Sequence, residues 1–373
     1  MFSEVNNNYL LYAFVQPWQL MAGVFIFFTL IAGMLLYTIL YILKRLRRSI
    51  HRDELRHKYQ DLISFLAISE NEEELREFTN SPAVKSNLDQ CLEDSYARHI
   101  LIKELVTAAK SMNGAALKNL CWFYTEKGLE QDTLTRLKSS DWHIKAKAIQ
   151  TLSHLGQKQF ITRIYRFTNS NNEFVRHEAR IAVVKLTGFE GLRFLDVISY
   201  PLTEWQQLHL LHELAKQKDI PVKDISRWLQ SANHSVIEFA LRLIEVYRVY
   251  DLHDEVIALL NHPGELIRIK AVNALCEIQQ DKTAHIMVEN FRQANNPVQF
   301  AILKALQKTG TENEIPFLSR NLLHEQNDFK MAAARAIRNI KTDGLTIIES
   351  AVDKSQQPWP VLLMQLKEEE AMA

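Results

Sequence analysis

Along FVRHEARIAVVKL, residues 174–186, apolar side chains recur three and four positions apart with charged ones between them. That spacing predicts an amphipathic helix. The chain then repeats the pattern. Val175-Arg176 is followed by Ala179 and Val183, and Ile267-Arg268 by Ala271 and Leu275. Ile144-Lys145 with Ala148 and Leu152, Val298 with Ile302 and Leu306, and Phe329-Lys330 with Ala333 and Ile337 keep the same spacing. Taking the central residue as anchor gives Ala148, Ala179, Ala240, Ala271, Ile302 and Ala333, at intervals of 31, 61, 31, 31 and 31. The 61 leaves room for one further unit, which Leu210 fills with Gln206 before it and Leu214 after it. A fixed period of this length predicts stacked supersecondary units and outranks any local assignment.

Each unit reads as a helix pair. First helices are typified by KQFITRIYRF (158–167) and EIPFLSRNLL (314–323). The breaks NSNNE, NHPGE, ANNP and HEQND supply turn and N-cap residues, and Gly188 and Gly310 stand where C′ glycines would end second helices. The clear array runs over 138–345, with 346–373 as a C-terminal cap and tail. Residues 70–137 read as helices of weaker repeat character, including a divergent early unit centred on Leu117, and Glu72-Glu73-Glu74 suit a first helical turn.

The N-terminal pattern differs. No Asp, Glu, Lys, Arg or His lies between Val5 and Leu43, and residues 20–43 are apolar apart from two threonines and two tyrosines. Twenty-four helical residues span about 36 Å, against a hydrocarbon core of about 30 Å. Trp18 and the pair Tyr37 and Tyr41 sit where aromatic belts would. The reading is a short extracytoplasmic segment (1–18), a transmembrane helix (19–43) and a basic juxtamembrane helix (44–69). Lys44, Arg45, Arg47, Arg48, Arg52, Arg56 and Lys58 follow the span and no Lys or Arg precedes it, so the C-terminal side is expected in the cytoplasm of an inner (plasma) membrane protein. The same cations would attract anionic lipid near residues 44–58.

Composition adds constraints. Gly (10) and Pro (9) are scarce in 373 residues, as a mostly helical chain requires. Formal net charge is zero; beyond residue 68 there are 37 basic and 40 acidic residues, so no bulk charge favours nucleic acid. Cys91, Cys121 and Cys276 are scattered and odd in number, which fits neither a disulfide framework nor a zinc pattern. Cys276, inside a repeat helix, reads as a small core residue.

A short polar turn, then Val-Arg, a small residue and Leu, in helix pairs of about thirty residues, resembles the HEAT-repeat family. Val175-Arg176/Ala179 and Ile267-Arg268/Ala271 are the best matches. Gln207, Ile237 and Gln299 stand where the family has Arg, and Leu210 and Ile302 replace the small anchor. The resemblance covers somewhat more than half the chain and implies an all-α solenoid of seven to eight helix pairs, with second helices lining its concave surface. It is specific for fold and not for function. Such proteins are mostly scaffolds, so a membrane-tethered, non-enzymatic protein-binding scaffold is expected. HEAT-like arrays also include bilin lyase and DNA glycosylase groups, which keeps a HEAT-like enzyme as the alternative. Membrane-tethered bacterial relatives often accompany a membrane glycosyltransferase, which hints at a membrane-associated partner.

Chemistry-bearing motifs are few. HExxH, GxxxxGK[ST], GxGxxG and GxSxG are absent. HLLHE puts His209 and His212 three apart with Glu213 adjacent, too few placed ligands for a metal site. No catalytic residue, metal ligand or cofactor is assigned. Trp122, Trp142, Trp205 and Trp228 read as core residues, and NHS (233–235) is a sequon kept silent by a cytoplasmic location.

One charge pattern stands out. On the second helices, positions −1, +2 and +6 from the anchor share a flank away from the buried stripe. Across seven units this flank holds Lys147, Lys185, Lys216, Arg242, Lys270, Lys304, Lys308 and Arg335 against only Glu178 and Glu277. Two readings stand: a basic ridge for an acidic protein partner, or ordinary solvated faces whose +6 lysines complement helix C-termini.

Overall fold

The computed structural model describes residues 17–69, 71–215, 217 and 219–372, and every regular element among them is helical, with no strand. The chain divides into two compact units between Leu134 and Thr135.

The first unit is built on α1 (Pro17–Ile68), one unbroken helix of 52 residues through both the apolar and the basic segments. Its apolar part has a mean hydropathy of 2.3 in its best window and none of that window is buried. By length and composition it is a candidate membrane-spanning helix. Residues 1–16, most of the expected extracytoplasmic segment, lie outside the described residues. Further on, α1 buries Leu55, Tyr59, Leu62, Ile63 and Leu66, spaced by three and four, which is one helical face. This face packs on α4 (Ser95–Ser111) and α5 (Gly114–Glu126), reached through α2 (Glu72–Asn80) and α3 (Pro82–Glu93). Tyr59 donates its hydroxyl to the Ala97 carbonyl at 3.3 Å, and Asn119 donates to the carbonyls of Leu66 (2.9 Å) and Ser69 (2.8 Å), satisfying groups that the end of α1 leaves bare. In α5 the fully buried residues are Leu120, Phe123 and Tyr124, whereas Leu117 is half-buried. The clearer unit here is α3 with α4. Arg98 on α4 donates to the carbonyls of Leu92 and Glu93 at the end of α3 and pairs with Asp132 at 2.6 Å.

The second unit follows α6 (Glu130–Leu137), across which the division falls. Its second helices are α7 (Trp142–His154), α9 (Glu173–Thr187), α10 (Glu204–Leu214), α12 (His234–Tyr247), α14 (Glu265–Glu277), α16 (Asn296–Thr309) and α18 (Asn327–Ile340). Between them lie short first helices: α8 (Ile161–Tyr165), a 3-10 helix (Gly188–Val197), α11 (Val222–Leu229), α13 (His253–Ala258), α15 (Thr283–Phe291) and α17 (Ile315–Asn321). A final pair, α19 (Gly344–Ala351) and α20 (Trp359–Met372), closes the array. All seven anchors are 2% exposed or less, and so are the seven residues four positions on, from Leu152 to Ile337. Neighbouring second helices pack directly, α7 on α9 and then α12 through α18 in series. Where the anchor is Ile302, the flanking Ala301 and Ala305 are buried and supply the small surface.

The residue three before the anchor explains its chemistry. Arg176 donates to the Ser170 and Asn171 carbonyls at 2.6 and 3.3 Å and lies 4.0 Å over the Tyr200 ring. Arg268 reaches the His262 carbonyl at 3.3 Å, and Gln299, without the charge, still donates to the Phe291 carbonyl at 2.9 Å. The conserved geometry is a long donor satisfying carbonyls left over where the first helix ends. Arg180 goes further: almost fully buried, it donates to the carbonyls of Thr168 and Tyr200 and to Gln206, tying two units together. Burial, then the neighbouring Arg176, lowers its pKa to about 10, which leaves it cationic at neutral pH.

The two glycines at second-helix ends serve different needs. Gly188 has φ +65° with ψ −137°, a positive-φ backbone that favours glycine but not the αL geometry of a C′ cap. Gly310 does not; its φ is −65°, and a Cβ there would lie 2.5 Å from the Leu306 carbonyl oxygen and 2.7 Å from Ile340. Gly310 is needed for close approach.

Because Ala271 has no exposed surface, Ala271→Leu should overpack the seam between α14 and its neighbours at about 1–3 kcal/mol. Thermal unfolding of the full-length protein should show a lower Tm for this variant and almost none for Asn273→Leu, two positions on and exposed.

Candidate interaction face

On the second helices, positions −5, −1, +2 and +6 from the anchor fall on one side, because each step is three or four residues. This face carries seven of the eight predicted ridge cations among the described residues, and the structure places them unevenly. Lys147, Lys304 and Lys308 are exposed; Lys185, Arg242, Lys270 and Arg335 are half-buried; Lys216 lies outside the described residues.

Several of these charges are met inside the molecule. Lys308 pairs with Glu277 at 2.6 Å and Lys185 lies 2.8 Å from the Nδ1 of His154, in both cases with the +6 residue of the preceding unit. Arg242 pairs with Glu204 at 2.8 Å, and Arg335 with Glu369 of α20, to which Arg338 also donates at 3.0 Å. Glu204 is held below the ordinary carboxylate range by its hydrogen bond from Arg242, and Glu369 by that from Arg335. Among the described residues Lys147, Lys270 and Lys304 have no carboxylate in ion-pair contact; Lys304 lies 4.9 Å over the Phe300 ring. Much of the ridge's charge joins one unit to the next.

The N-terminal ends of these helices carry an aromatic row, Phe174 and Trp205 at −5 and Trp142 at −6, whose tryptophans the sequence pattern assigns to cores. Trp142 and Trp205 are 46% and 56% exposed, and only Trp228 of the array tryptophans is buried as expected. Phe174, 61% exposed, stacks on Trp142 with ring centroids 4.9 Å apart. One turn along α9, His177 lies 4.5 Å from the Trp205 ring and 5.5 Å from His209, which is itself 4.1 Å from Trp205. The row thus crosses three successive units, α7, α9 and α10. The signal was present: Trp142, Phe174 and Trp205 recur at 32 and 31 residues, nearly the repeat period, at positions outside the buried stripe.

The rings of His177 and His209 meet Trp205 and each other at tilts of 34° to 39°, and His209, His212 and Glu213 form no metal-binding group. Among the described residues no group of three His, Cys, Asp or Glu side chains could hold a metal ion. His177 is buried beneath the row, and burial, then the charge of His209 and Arg180, lowers its pKa to about 4. Burial pushes the thiols of Cys121 and Cys276 up to about 11, so both are neutral at ordinary pH.

A family profile described as HEAT repeats matches residues 254–338, which span the α14, α16 and α18 units. No curated protein matches the sequence. Among solved structures, the chain is similar to an engineered protein at 16% identity and TM-score 0.36, over 79% of this chain and 92% of that one. It is also similar to the complex of CpcE and CpcF of phycocyanin lyase from Nostoc sp. PCC7120, at 12% identity and TM-score 0.27, over 67% of this chain and 94% of that one.

The buried, neutral His177 predicts an acid-sensitive unit. Its folded pKa of about 4 lies below the ordinary 6.5, so the unfolded chain binds a proton between these values and the folded one does not. The stability it supports is intact above pH 6.5 and declines as pH falls toward 4. His177→Gln should flatten this part of the Tm-against-pH curve, so that the gap between wild type and variant changes across the window. Parallel curves for the two proteins would assign the acid sensitivity to other groups.

Proposed function

We propose, from the premise that the chain is a HEAT-repeat protein, that it is a non-catalytic, membrane-tethered scaffold whose second-helix face docks a membrane-associated protein. The observation that carries the reading is the exposed aromatic row Trp142–Phe174–Trp205. Exposed Trp and Phe side chains on a rigid helical array are the residues that dominate protein interfaces, because they bury much area at little entropic cost. The row presents its side chains outward, which suits adhesion better than the enclosed, convergent groups of an enzyme. Lys147 beside the row on α7, and Lys270 and Lys304 downstream, give the face a positive bias that would favour an acidic partner and speed its association.

Tethering rests on the apolar length of α1, and orientation on the cations that follow it. Those residues, Lys44 to Lys58, resist translocation, which supports repeats on the cytoplasmic side of an inner membrane with the N-terminus outside. A membrane glycosyltransferase or another membrane complex is the class of partner such a tether would serve.

Two experiments test this. In a background with Cys91, Cys121 and Cys276 replaced by serine, Ser3→Cys should react with an impermeant thiol reagent in intact cells or spheroplasts, and His234→Cys should not. The reverse pattern would sink the orientation. For the face, a photo-crosslinking residue at Trp205 should capture a membrane-associated protein that one at Arg163, exposed on a first helix, does not. The triple change Trp142→Ala, Phe174→Ala and Trp205→Ala should cut that capture at least about tenfold, since single anchors often contribute more than about 1 kcal/mol. Lys147→Glu, Lys270→Glu and Lys304→Glu together should weaken it more than Lys158→Glu, Arg163→Glu and Arg166→Glu. Equal effects of the two charge triples would remove the electrostatic part of the reading and leave the aromatic part.

A further inference from the structure

The stripe that α1 buries against α4 and α5 continues upstream of the part those helices cover. Leu55, Tyr59, Leu62, Ile63 and Leu66 continue upstream, in the same three-and-four spacing, as Arg52, Ser49, Arg45 and Tyr41. Along the first stretch the stripe is apolar and covered by α4 and α5. Along the second it is basic and hydroxylic, and it runs past the start of α4. There Tyr96, in the first turn of α4, closes one end of a groove of about 510 Å³ lined by Tyr41, Lys44, Arg45, Ser49, Arg52 and Tyr96. That volume falls within the roughly 300–1,000 Å³ of small-molecule sites.

The charges in the groove are unbalanced. Its lining holds three cations and no carboxylate. Arg52 donates to Ser49 Oγ at 3.1 Å and from its Nε to Asp53 at 3.3 Å, the one acid touching a lining cation among the described residues. His51 stacks on Tyr96 and contacts Glu54 at 3.9 Å, and Arg56, one turn further, is taken by Glu104 at 3.3 Å. Lys44 and Arg45 have no acid partner among the described residues. Asp94 is turned to α4, accepting from the backbone N–H groups of Tyr96 and Ala97 at 3.0 and 3.2 Å. Tyr41, the last ring of the apolar segment, lines the groove, and Leu40 and Leu43, close to it in the chain, are exposed. A ligand here must be anionic at one end and able to continue as hydrocarbon at the other.

We propose that this groove binds the phosphate headgroup of one anionic phospholipid, with Lys44, Arg45 and Arg52 as counter-charges and Ser49 and Tyr96 as hydroxyl partners. The proposal rests on the reading of residues 20–43 as a membrane span. It differs from general attraction of a basic segment to a charged membrane, which gives each cation a similar weight of about 1 kcal/mol and ignores neutral residues. A built groove weights lining residues over their neighbours and is sensitive to Tyr96.

The probe is phosphatidylglycerol, titrated into the full-length protein purified in neutral detergent, with bound lipid counted by native mass spectrometry. Wild type should take up one tightly held lipid. Arg45→Gln with Arg52→Gln should weaken that first site by about tenfold or more, whereas Arg47→Gln with Lys58→Gln, which removes the same charge outside the groove, should change it by less than about twofold. Tyr96→Leu, which removes no charge, should weaken it by about threefold or more, as loss of one hydroxyl partner implies. Equal losses in the two charge variants with none at Tyr96 would overturn the groove and leave only diffuse attraction, with the membrane reading untouched. Glycerol phosphate binding as tightly as the lipid would overturn the lipid assignment in favour of a soluble phosphate compound. If neither introduced cysteine, at Ser3 or His234, showed the sidedness of an inserted protein, the membrane reading itself would fail and take the proposal with it.

Discussion

Close approach of second helices at small, fully buried residues is the constraint on which the repeat unit depends. Ala148, Ala179, Ala240, Ala271 and Ala333 leave almost no surface at the seam, and each is followed four residues later by a fully buried aliphatic side chain. A small residue at one turn and a large one at the next let neighbouring helices interdigitate at crystal-like density. The unit with Leu210 meets its neighbour differently: Arg242 of α12 pairs with Glu204, and the Tyr247 hydroxyl donates to the Leu214 carbonyl at 2.8 Å. Side-chain bridges there stand in for part of the backbone approach.

The fold was legible because this constraint has a period. Spacing of anchors alone located the second helices and their buried stripe, and all seven anchors are buried as that stripe requires. Less regular parts were harder to read. The first-unit pair α3 and α4 shares the same Arg-to-carbonyl contact, through Arg98, but its anchor position is occupied by Leu101 and it falls out of the 31-residue register. Gly310 looked like a left-handed cap because composition cannot distinguish a glycine needed for its φ from one needed for its missing Cβ.

The interaction face was half legible, and for a physical reason. Sequence fixes the angular position of a side chain on a helix, so it defines which cations share a flank. It does not fix which of them meets an acid across the seam, since that depends on the offset between helices. Lys308 with Glu277 and Arg335 with Glu369 are pairs about one repeat apart, so the period that aligns the seam also aligns charges for pairing. Such partly exposed pairs contribute little each, on the order of 0–1 kcal/mol, but they lower the charge the surface shows to a partner. The aromatic row was missed through a bias in the other direction: tryptophan is usually buried, and the prior outweighed register.

Register offers the deeper regularity. One set of columns, the anchor and the position four after it, is fixed in character because every unit must satisfy the same seam. The columns at −5, +2 and +6 lie away from that seam and vary, whereas the −1 column borders it and is buried at Phe239, Ala301 and Ala332. The outward columns vary by region: His143, His154, Phe174, Trp205 and His212 fall in them in α7, α9 and α10, and Arg242, Lys304, Lys308 and Arg335 in α12 to α18. A repeat array therefore separates the work of folding from that of recognition by angle around each helix, and a surface can be rewritten unit by unit without touching the core. The same separation holds along α1, where one stripe is apolar while α4 and α5 cover it and turns basic and hydroxylic where they end. In both units, the residues that depart from the core pattern while keeping its register are the ones left facing outward, and these are the residues available to bind something else.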